Sequence, residues 1–186
     1  MRVISGDAKG RPLLFPQKSK ARPTSSRIRE AIFDILSPLK GKTFLDVFAG
    51  SGSIGIEALS HGAAYAAFIE QDAVHCDYIR KNLSRCGFAG NFEILNREMK
   101  RAVPTLQKKG MRFDILFADP PYEAGLVEET WTHLADGKLC AADGLIIFQH
   151  SVREEPDWEL GRAVTLLDQR KYGDTLLTFL QLARKE

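Results

Sequence analysis

The sequence predicts an α/β fold: a Rossmann-like doubly wound sheet, mostly parallel with an antiparallel final strand, plus a small N-terminal hairpin and helix extension. Two observations predict this class. Short apolar strands alternate with amphipathic helices from residue 44 onward, and a glycine-rich turn follows the first of these strands. The chain of 186 residues is 44% hydrophobic and 27% charged, which is typical of one globular domain.

The individual elements follow from periodicity and from turn and cap residues. Two short strands are predicted at 2–5 and 11–15, and a helix capped by Thr24 or Ser25 runs from there to about residue 36. Further strands are predicted at 44–48, 65–70, 92–95, 113–118 and 145–149, helices at 53–60, 73–86, 100–108 and 127–135, and a closing pair of strands at 163–170 and 175–182.

Charge divides the chain near residue 42. Residues 1–42 carry ten Lys and Arg against three Asp and Glu, a net charge of +7, whereas residues 43–186 carry a net charge of −5. We therefore predict a basic N-terminal extension at 1–42 and a main domain at 43–186. The charge favours a polyanion as the partner of the extension, and a solvated, flexible terminus explains it equally well.

Composition also predicts the compartment. No apolar stretch approaches the roughly 18 residues of a membrane span, and the first residues lack the apolar core of a signal peptide, so we expect a cytoplasmic protein. Cys76, Cys86 and Cys140 have no metal-ligand spacing and are expected to be small buried hydrophobic residues. No metal is expected.

The glycine-rich turn at residues 46–55 is the first candidate ligand site. Gly50 and Gly52 allow a ligand to approach the backbone closely, and Gly55 allows the following helix to pack against the sheet. Glu70 ends the next strand, where a carboxylate can accept hydrogen bonds from both hydroxyls of a ribose. This pattern fits NAD as well as S-adenosylmethionine, and a tight turn without a ligand also produces it.

Asp46 favours one of these ligands. A dinucleotide presents an anionic pyrophosphate to the helix N-terminus, and an acid just before the glycines would repel it. S-adenosylmethionine has no phosphate and carries a sulfonium and an ammonium, both of which suit a nearby carboxylate. The acid therefore favours S-adenosylmethionine over NAD.

The motif Asp119-Pro120-Pro121-Tyr122 follows the predicted strand 113–118 directly, at the end where doubly wound folds bind ligands. Two prolines stiffen the loop. Asp119 and the Pro120 carbonyl can accept the two hydrogens of a planar amino group, and Tyr122 offers a ring on which a base can stack. Stacking needs the ring and not the hydroxyl. The alternative is an incidental Pro-Pro turn. The position of the motif, directly after this strand, argues against that alternative.

Several segments together resemble a known family. They are RPTSSRIREAIFDIL at 22–36, DVFAGSGSIGIEAL at 46–59, DPPY at 119–122 and YGDT at 172–175. DPPY is a form of the Asn/Asp-Pro-Pro-Tyr/Phe signature of amino-group methyltransferases. The combination is similar, over nearly the whole chain, to the bacterial 16S rRNA (guanine-N2) methyltransferase family, the RsmD family.

The resemblance implies a class I methyltransferase that uses S-adenosylmethionine to methylate the N2 amine of a guanine in 16S rRNA, either as naked RNA or within an assembled or assembling small ribosomal subunit. We expect a monomer. The implied catalytic residues are Asp119, Pro120, Pro121 and Tyr122. The cofactor residues are Asp46, Phe48, Ala49, Gly50, Ser51, Gly52, Gly55, Glu70, Gln71, Glu98, Met99 and Asp119. The residues expected to contact RNA are Arg11, Arg22, Arg27 and Arg29.

Three positions depart from the family pattern. Ser26 replaces an Asp in the basic segment, and Gln149 stands where a Glu is expected. The loop after the third strand reads Asn96-Arg97-Glu98-Met99, where an Asp or Asn commonly meets the adenine amino group, so Glu98 would serve with a longer reach.

Other functions remain open. The same fold could act on DNA adenine N6, on another RNA base or on a protein glutamine, and the basic extension argues against the glutamine. An NAD-dependent oxidoreductase is disfavoured by the motif at 119–122. A catalytically silent RNA-binding protein is disfavoured by the intact motifs.

Overall fold

The computed structural model describes residues 1–16, 24–159 and 163–183. The chain divides into two compact units, Met1–Glu98 and Met99–Glu186. Residues 1–42, which we predicted as a separate extension, therefore share a unit with the first three strands. Arg22 lies outside the described residues. Within the described part of the chain, no helix has the length and apolar character needed to cross a membrane.

The first unit alternates helices and strands. Its elements are α1 (Ser26–Leu36), β1 (Thr43–Val47), α2 (Ser53–Ser60), β2 (Tyr65–Glu70), α3 (Ala73–Cys86) and β3 (Phe92–Asn96). β2 lies between β1 and β3 and pairs parallel with both. β1 and β2 are buried along nearly their whole length, which is typical of parallel strands covered on both faces.

Local chemistry explains where two of these helices begin and end. The Ser25 side chain caps α1 by accepting a hydrogen bond from Ile28 N at 3.3 Å. Asp72 caps α3 in the same way, accepting from Val74 N at 2.7 Å. Gly87, at a φ of 83°, ends α3 in the left-handed conformation. Of the two caps predicted for α1, Thr24 and Ser25, the structure selects Ser25, and the predicted end of α3 at Gly87 is confirmed.

The N-terminal segment is less regular than the predicted hairpin. Arg2 and Pro12 form an isolated antiparallel bridge, and Val3 N donates to Arg11 O at 3.0 Å. Pro12 has no N–H and cannot extend the ladder. The two segments thus run side by side, but the prediction of two regular strands is wrong.

The second unit contains α4 (Met99–Lys108), β4 (Phe113–Ala118), α5 (Leu126–Leu134), β5 (Cys140–Ser151), β6 (Val164–Tyr172) and β7 (Thr175–Leu182). β5 pairs parallel with β4 and antiparallel with β7. β6 pairs antiparallel with β7. The predicted α/β class, with parallel strands followed by antiparallel pairing at the end of the chain, is confirmed.

β5 is longer than the predicted strand at 145–149. Cys140 pairs with Phe113, the register then shifts, and Leu145 pairs with Ile115. Asp143-Gly144 lies within this irregular stretch, and such residues normally indicate a turn. Pairing with β4 on both sides of this stretch, at Cys140 and from Leu145 onward, therefore carries β5 across residues whose types alone predict a loop.

Each unit has an apolar core of its own. In the first unit Phe44 on β1 and Phe68 on β2 are fully buried. In the second unit Trp131 on α5 packs edge to face against Phe148, with ring centroids 6.4 Å apart, and against Trp158 at 5.5 Å.

Candidate functional site

The glycine-rich loop at residues 46–55 connects the end of β1 to α2 in the first unit. Phe48 has a φ of 69°, which a bulky side chain rarely adopts. Gly50 has a φ of 55° and open space where a Cβ would lie, so a ligand can reach its backbone. A Cβ at Gly55 would overlap the ring of Phe68, so only glycine allows this packing. Strain beside an accessible backbone is a feature of ligand-binding loops.

Two buried carboxylates hold the loop in this shape. Asp46 Oδ2 accepts a hydrogen bond from Gly55 N at 3.0 Å. Glu70, at the end of β2, accepts from Gly50 N and from Asp72 N, both at 2.8 Å. A carboxylate has about four acceptor sites, so Glu70 can still accept from a ligand. The structure thus brings four of the predicted cofactor residues together as two hydrogen-bonded pairs, Asp46 with Gly55 and Glu70 with Gly50.

The electrostatics of this group suit a cation. Asp46 is 2% exposed, and burial raises its pKa to about 7, an effect that the Gly55 N–H opposes and the nearby charge of Glu70 increases. A positive ligand beside these acids would favour the ionised form of Asp46, whereas a pyrophosphate would meet repulsion. This is the electrostatic preference that the sequence predicts.

The other predicted cofactor residues differ in exposure. Ala49, Ser51, Gly52 and Met99 are buried, Phe48 is half-buried, and Gln71 and Glu98 are exposed. Asn96 Nδ2 donates to Glu70 O at 3.1 Å and to Gln71 O at 2.8 Å. Asn96 therefore fixes the end of β2. Within the described residues, no group of three or more His, Cys, Asp or Glu could hold a metal ion.

Asn82 on α3 holds the glycine loop in place, and we did not predict this role from the sequence. Its side chain is fully buried, and its Nδ2 donates to Ser51 O at 3.0 Å and to Leu14 O at 2.9 Å. Its Oδ1 accepts from Leu14 N at 2.7 Å. Asn82 thus ties the glycine loop to the N-terminal segment. An amide on the buried face of α3, next to Leu83 and one turn from Ile79, is the sequence signal that could have found it.

The motif Asp119-Pro120-Pro121-Tyr122 follows β4 in the second unit, as predicted. Asp119 is half-buried, Pro120 is buried, and Pro121 and Tyr122 are exposed. The Tyr122 hydroxyl shares a hydrogen bond with Thr175 Oγ1 at 3.0 Å and accepts one from Gln149 Nε2 at 3.1 Å. Desolvation raises the pKa of this hydroxyl. Our sequence reasoning treated the hydroxyl as dispensable, and these two bonds argue against that expectation.

Arg29 is not placed to contact RNA. Its side chain is 2% exposed, and its Nη1 lies 3.1 Å from Glu57 Oε2. Nη1 and Nη2 also donate to Arg2 O, both at 3.1 Å. The guanidinium is neutralised and shielded from solvent, which corrects the predicted RNA contact. Arg11 and Arg27, by contrast, are exposed.

The fold and these motifs define a class I methyltransferase. The solved structure of yhhF from Escherichia coli has a TM-score of 0.85 and 34% identity, and the match covers 100% of this chain and 99% of that one. A protein from Thermus thermophilus has a TM-score of 0.83 and 31% identity, covering 98% of this chain and 99% of that one. A structure solved with S-adenosylhomocysteine shares the fold at a TM-score of 0.69 and 13% identity, covering 84% of this chain and 48% of that one.

The chain belongs to the RsmD family, whose model, described as conserved hypothetical protein 95, matches residues 1–181. It is 38% identical over 168 residues to ribosomal RNA small subunit methyltransferase D of Escherichia coli K12, covering 87% of this chain and 83% of that protein. The protein of the same name from Haemophilus influenzae is 33% identical over 149 residues, covering 78% of this chain and 76% of that protein. The family resemblance found in the sequence is confirmed.

Proposed function

We propose that this protein transfers a methyl group from S-adenosylmethionine to the exocyclic N2 amine of a guanine in the 16S rRNA of the small ribosomal subunit. The observation that carries the proposal is the loop after β4, where the half-buried Asp119 and the exposed ring of Tyr122 lie three residues apart. The names of the relatives, which refer to small-subunit rRNA, support the choice of substrate.

The glycine loop of the first unit would hold the cofactor. S-adenosylmethionine supplies a methyl group that its cationic sulfur makes electrophilic. Asp46 and Glu70 suit the positive charges of this molecule, and Glu70 retains acceptor capacity for ribose hydroxyls. The accessible backbone at Gly50 fits a ligand that approaches the loop closely. Charge and access therefore both favour this cofactor.

Asp119 and the Pro120 carbonyl would bind the target amine. The lone pair of a guanine amino group is delocalised into the ring, which makes the nitrogen a weak nucleophile. Two acceptors for its two N–H groups favour a pyramidal nitrogen and aim the lone pair, so alignment is the main contribution of the protein. After transfer the nitrogen is positively charged and acidic, and Asp119 or water takes the proton.

Tyr122 and the exposed arginines would capture the RNA. Stacking of a base on an aromatic ring contributes about 1–3 kcal/mol. A guanine within a duplex must first be extruded, which costs a few kcal/mol and less for an unpaired base. Phosphate contacts from Arg11 and Arg27 could offset that cost.

The decisive experiment is a methylation assay with nucleoside analysis. Purified protein, S-adenosylmethionine carrying an isotopically labelled methyl group, and small-subunit particles or 16S rRNA from cells lacking the gene are incubated and digested for mass spectrometry. Labelled 2-methylguanosine is the expected product, and Asp119→Ala is the inactive control. Labelled N6-methyladenine in RNA or in DNA supplied as a parallel substrate would establish the alternative amine. Cofactor binding without label in any nucleic acid would overturn the proposal.

A further inference from the structure

The hydroxyl of Tyr122 is held by two side chains that lie far from it in sequence. Thr175 is the first residue of β7, and its Oγ1 lies 3.0 Å from the hydroxyl. Gln149 lies on β5, is 5% exposed, and donates from Nε2 at 3.1 Å. Tyr122 as a whole is 39% exposed. The ring is therefore accessible to a stacking partner while its hydroxyl end is fixed.

The backbone beside Tyr122 is held independently. Glu123 has a φ of 57°, which is uncommon for a residue other than glycine. Its N–H donates to Glu154 Oε1 at 3.1 Å, and Glu154 Oε2 accepts from Ser151 N at 3.0 Å. The loop is thus fastened to the end of β5. Both ends of the tyrosine side chain, at the backbone and at the hydroxyl, are restrained.

The surroundings of the Gln149 side-chain amide indicate that this residue has a functional role and does not only stabilise the fold. Its Oε1 is buried and has no hydrogen-bond partner among the described residues. A buried acceptor left unsatisfied costs about 1–3 kcal/mol, so this amide is not optimised for stability alone. Its Nε2, in contrast, is directed to Tyr122.

We propose that Thr175 and Gln149 are positioning residues that fix the plane of the Tyr122 ring and so orient the captured base. The inference rests on the proposed function, in which a base stacks on Tyr122. A phenolic O–H lies in the plane of its ring, so two partners at the oxygen favour one ring plane. A stacked base adopts that plane, and alignment catalysis is sensitive to displacements of about 1 Å. The Tyr172–Thr175 segment, which the methyl transfer does not otherwise use, thereby acquires a role.

Single-turnover methyl transfer tests the inference, at saturating cofactor and RNA. Thr175→Val removes the hydroxyl with little change in shape, and Thr175→Ser retains it. Loss of its one hydrogen bond to the tyrosine should lower the rate by about 3- to 10-fold in Thr175→Val, and Tyr122→Phe, which also loses the bond from Gln149, should be at least as slow. Thr175→Ser should stay within about twofold of the unmodified protein.

A double mutant and a matched control sharpen the test. Thr175→Val combined with Tyr122→Phe should be no slower than Tyr122→Phe alone, because both changes remove the same contact. Thr165→Val, at the opposite end of the β6–β7 pair, should leave the rate unchanged. Losses that multiply in the double mutant, or a Thr175→Val variant that transfers methyl at the normal rate, would overturn the inference.

A second readout does not depend on methylation. The hydrogen bond from Thr175 lowers the pKa of Tyr122, so Thr175→Val should raise that pKa in an NMR titration of ring-labelled tyrosine, with the signal assigned by Tyr122→Phe. An unchanged titration would show that the contact does not form and would end the inference. If instead Tyr122→Ala captured and methylated RNA normally, the stacking role within the proposed function would fail.

Discussion

Arg29 and Glu57 form an ion pair at 3.1 Å in which the two side chains are 2% and 0% exposed. Glu57 also accepts hydrogen bonds from Ile4 N at 2.9 Å and Ser5 N at 3.0 Å, and Arg29 binds Arg2 O. The pair therefore fastens the N-terminal segment and α1 to α2, the helix that begins at the glycine loop. This explains why residues 1–42 belong to the first compact unit.

Arg29→Ala should destabilise the protein by about 3–5 kcal/mol, because it leaves the Glu57 carboxylate buried without its counter-ion. Urea unfolding followed by circular dichroism measures this difference. Arg27→Ala is the matched control on the same helix, where the side chain is exposed, and it should change the free energy of unfolding by less than about 0.5 kcal/mol. Equal effects of the two changes would contradict a structural role for the pair.

The exposed arginines should act on RNA instead. Replacing Arg11 and Arg27 by Ala should raise the Michaelis constant for RNA and reduce the slope of log affinity against log salt by about one for each lost phosphate contact. Cofactor affinity should not change. The same substitution of Arg101 and Lys108, both exposed on α4, is the control. A salt slope that is identical in both double variants would show that the N-terminal arginines do not contact phosphates.

Glu70→Ala should weaken binding of S-adenosylmethionine by about 1.5–3 kcal/mol in isothermal titration, the range for a hydrogen bond to a charged group. Glu70 shapes the loop through Gly50 N, and in the proposed complex it also accepts from the ribose. Asp77→Ala, an exposed acid on α3, is the control and should bind normally. Undiminished affinity in Glu70→Ala would remove Glu70 from the site, and NAD should not bind to either protein.

Asp46 should make stability and cofactor binding depend on pH. Its folded-state pKa of about 7 lies above the ordinary carboxyl value of 3.8, so the folded protein holds this proton more tightly than the unfolded chain. The stabilising contribution is therefore present at low pH and is lost as the pH rises from about 4 through about 7. Asp46→Asn should remove this contribution, so that the variant gains stability relative to the unmodified protein between pH 5 and pH 8.

The same carboxyl should lose its proton when a cation binds beside it. Titration of S-adenosylmethionine at pH 7 in buffers of different ionisation enthalpy should detect release of a proton, and affinity should increase from pH 6 to pH 8. In Asp46→Asn the affinity should be lower and this component of its pH dependence should vanish. A binding enthalpy independent of the buffer would show that Asp46 is already ionised in the free protein.

Asp119→Ala should reduce the rate of methyl transfer by about 10²- to 10³-fold, because it removes a positioned acceptor for the target amine. Asp119→Asn keeps one acceptor oxygen and should retain more activity than Asp119→Ala. Both variants should still bind S-adenosylmethionine, because the glycine loop after β1 is untouched. Single-turnover transfer to small-subunit RNA or particles measures the rates. Normal turnover in Asp119→Ala would assign the chemistry to other groups.

Most helices and strands of this protein can be predicted from its sequence. The predicted boundaries of α2, β2, α3, β4 and β7 agree with the structure. The signals that set them, namely the spacing of apolar residues, the capping residues and the glycines that end helices, each lie within a few neighbouring residues. The turn at 46–55 and the motif at 119–122 were found for the same reason. Each combines its characteristic residues within one short segment.

The burial of charged side chains, the contacts of polar groups and the extent of β5 could not be predicted in this way, because they depend on partners far along the chain. Arg29 looks like a surface cation in sequence, and it is buried because Glu57, 28 residues away, neutralises it. The hydroxyl of Tyr122 contacts Thr175, 53 residues later, and β5 extends across Asp143-Gly144 because Cys140 and Leu145, on either side, pair with β4. Local propensity contains no information about such partners, and a buried polar group is stable only where its partner is present.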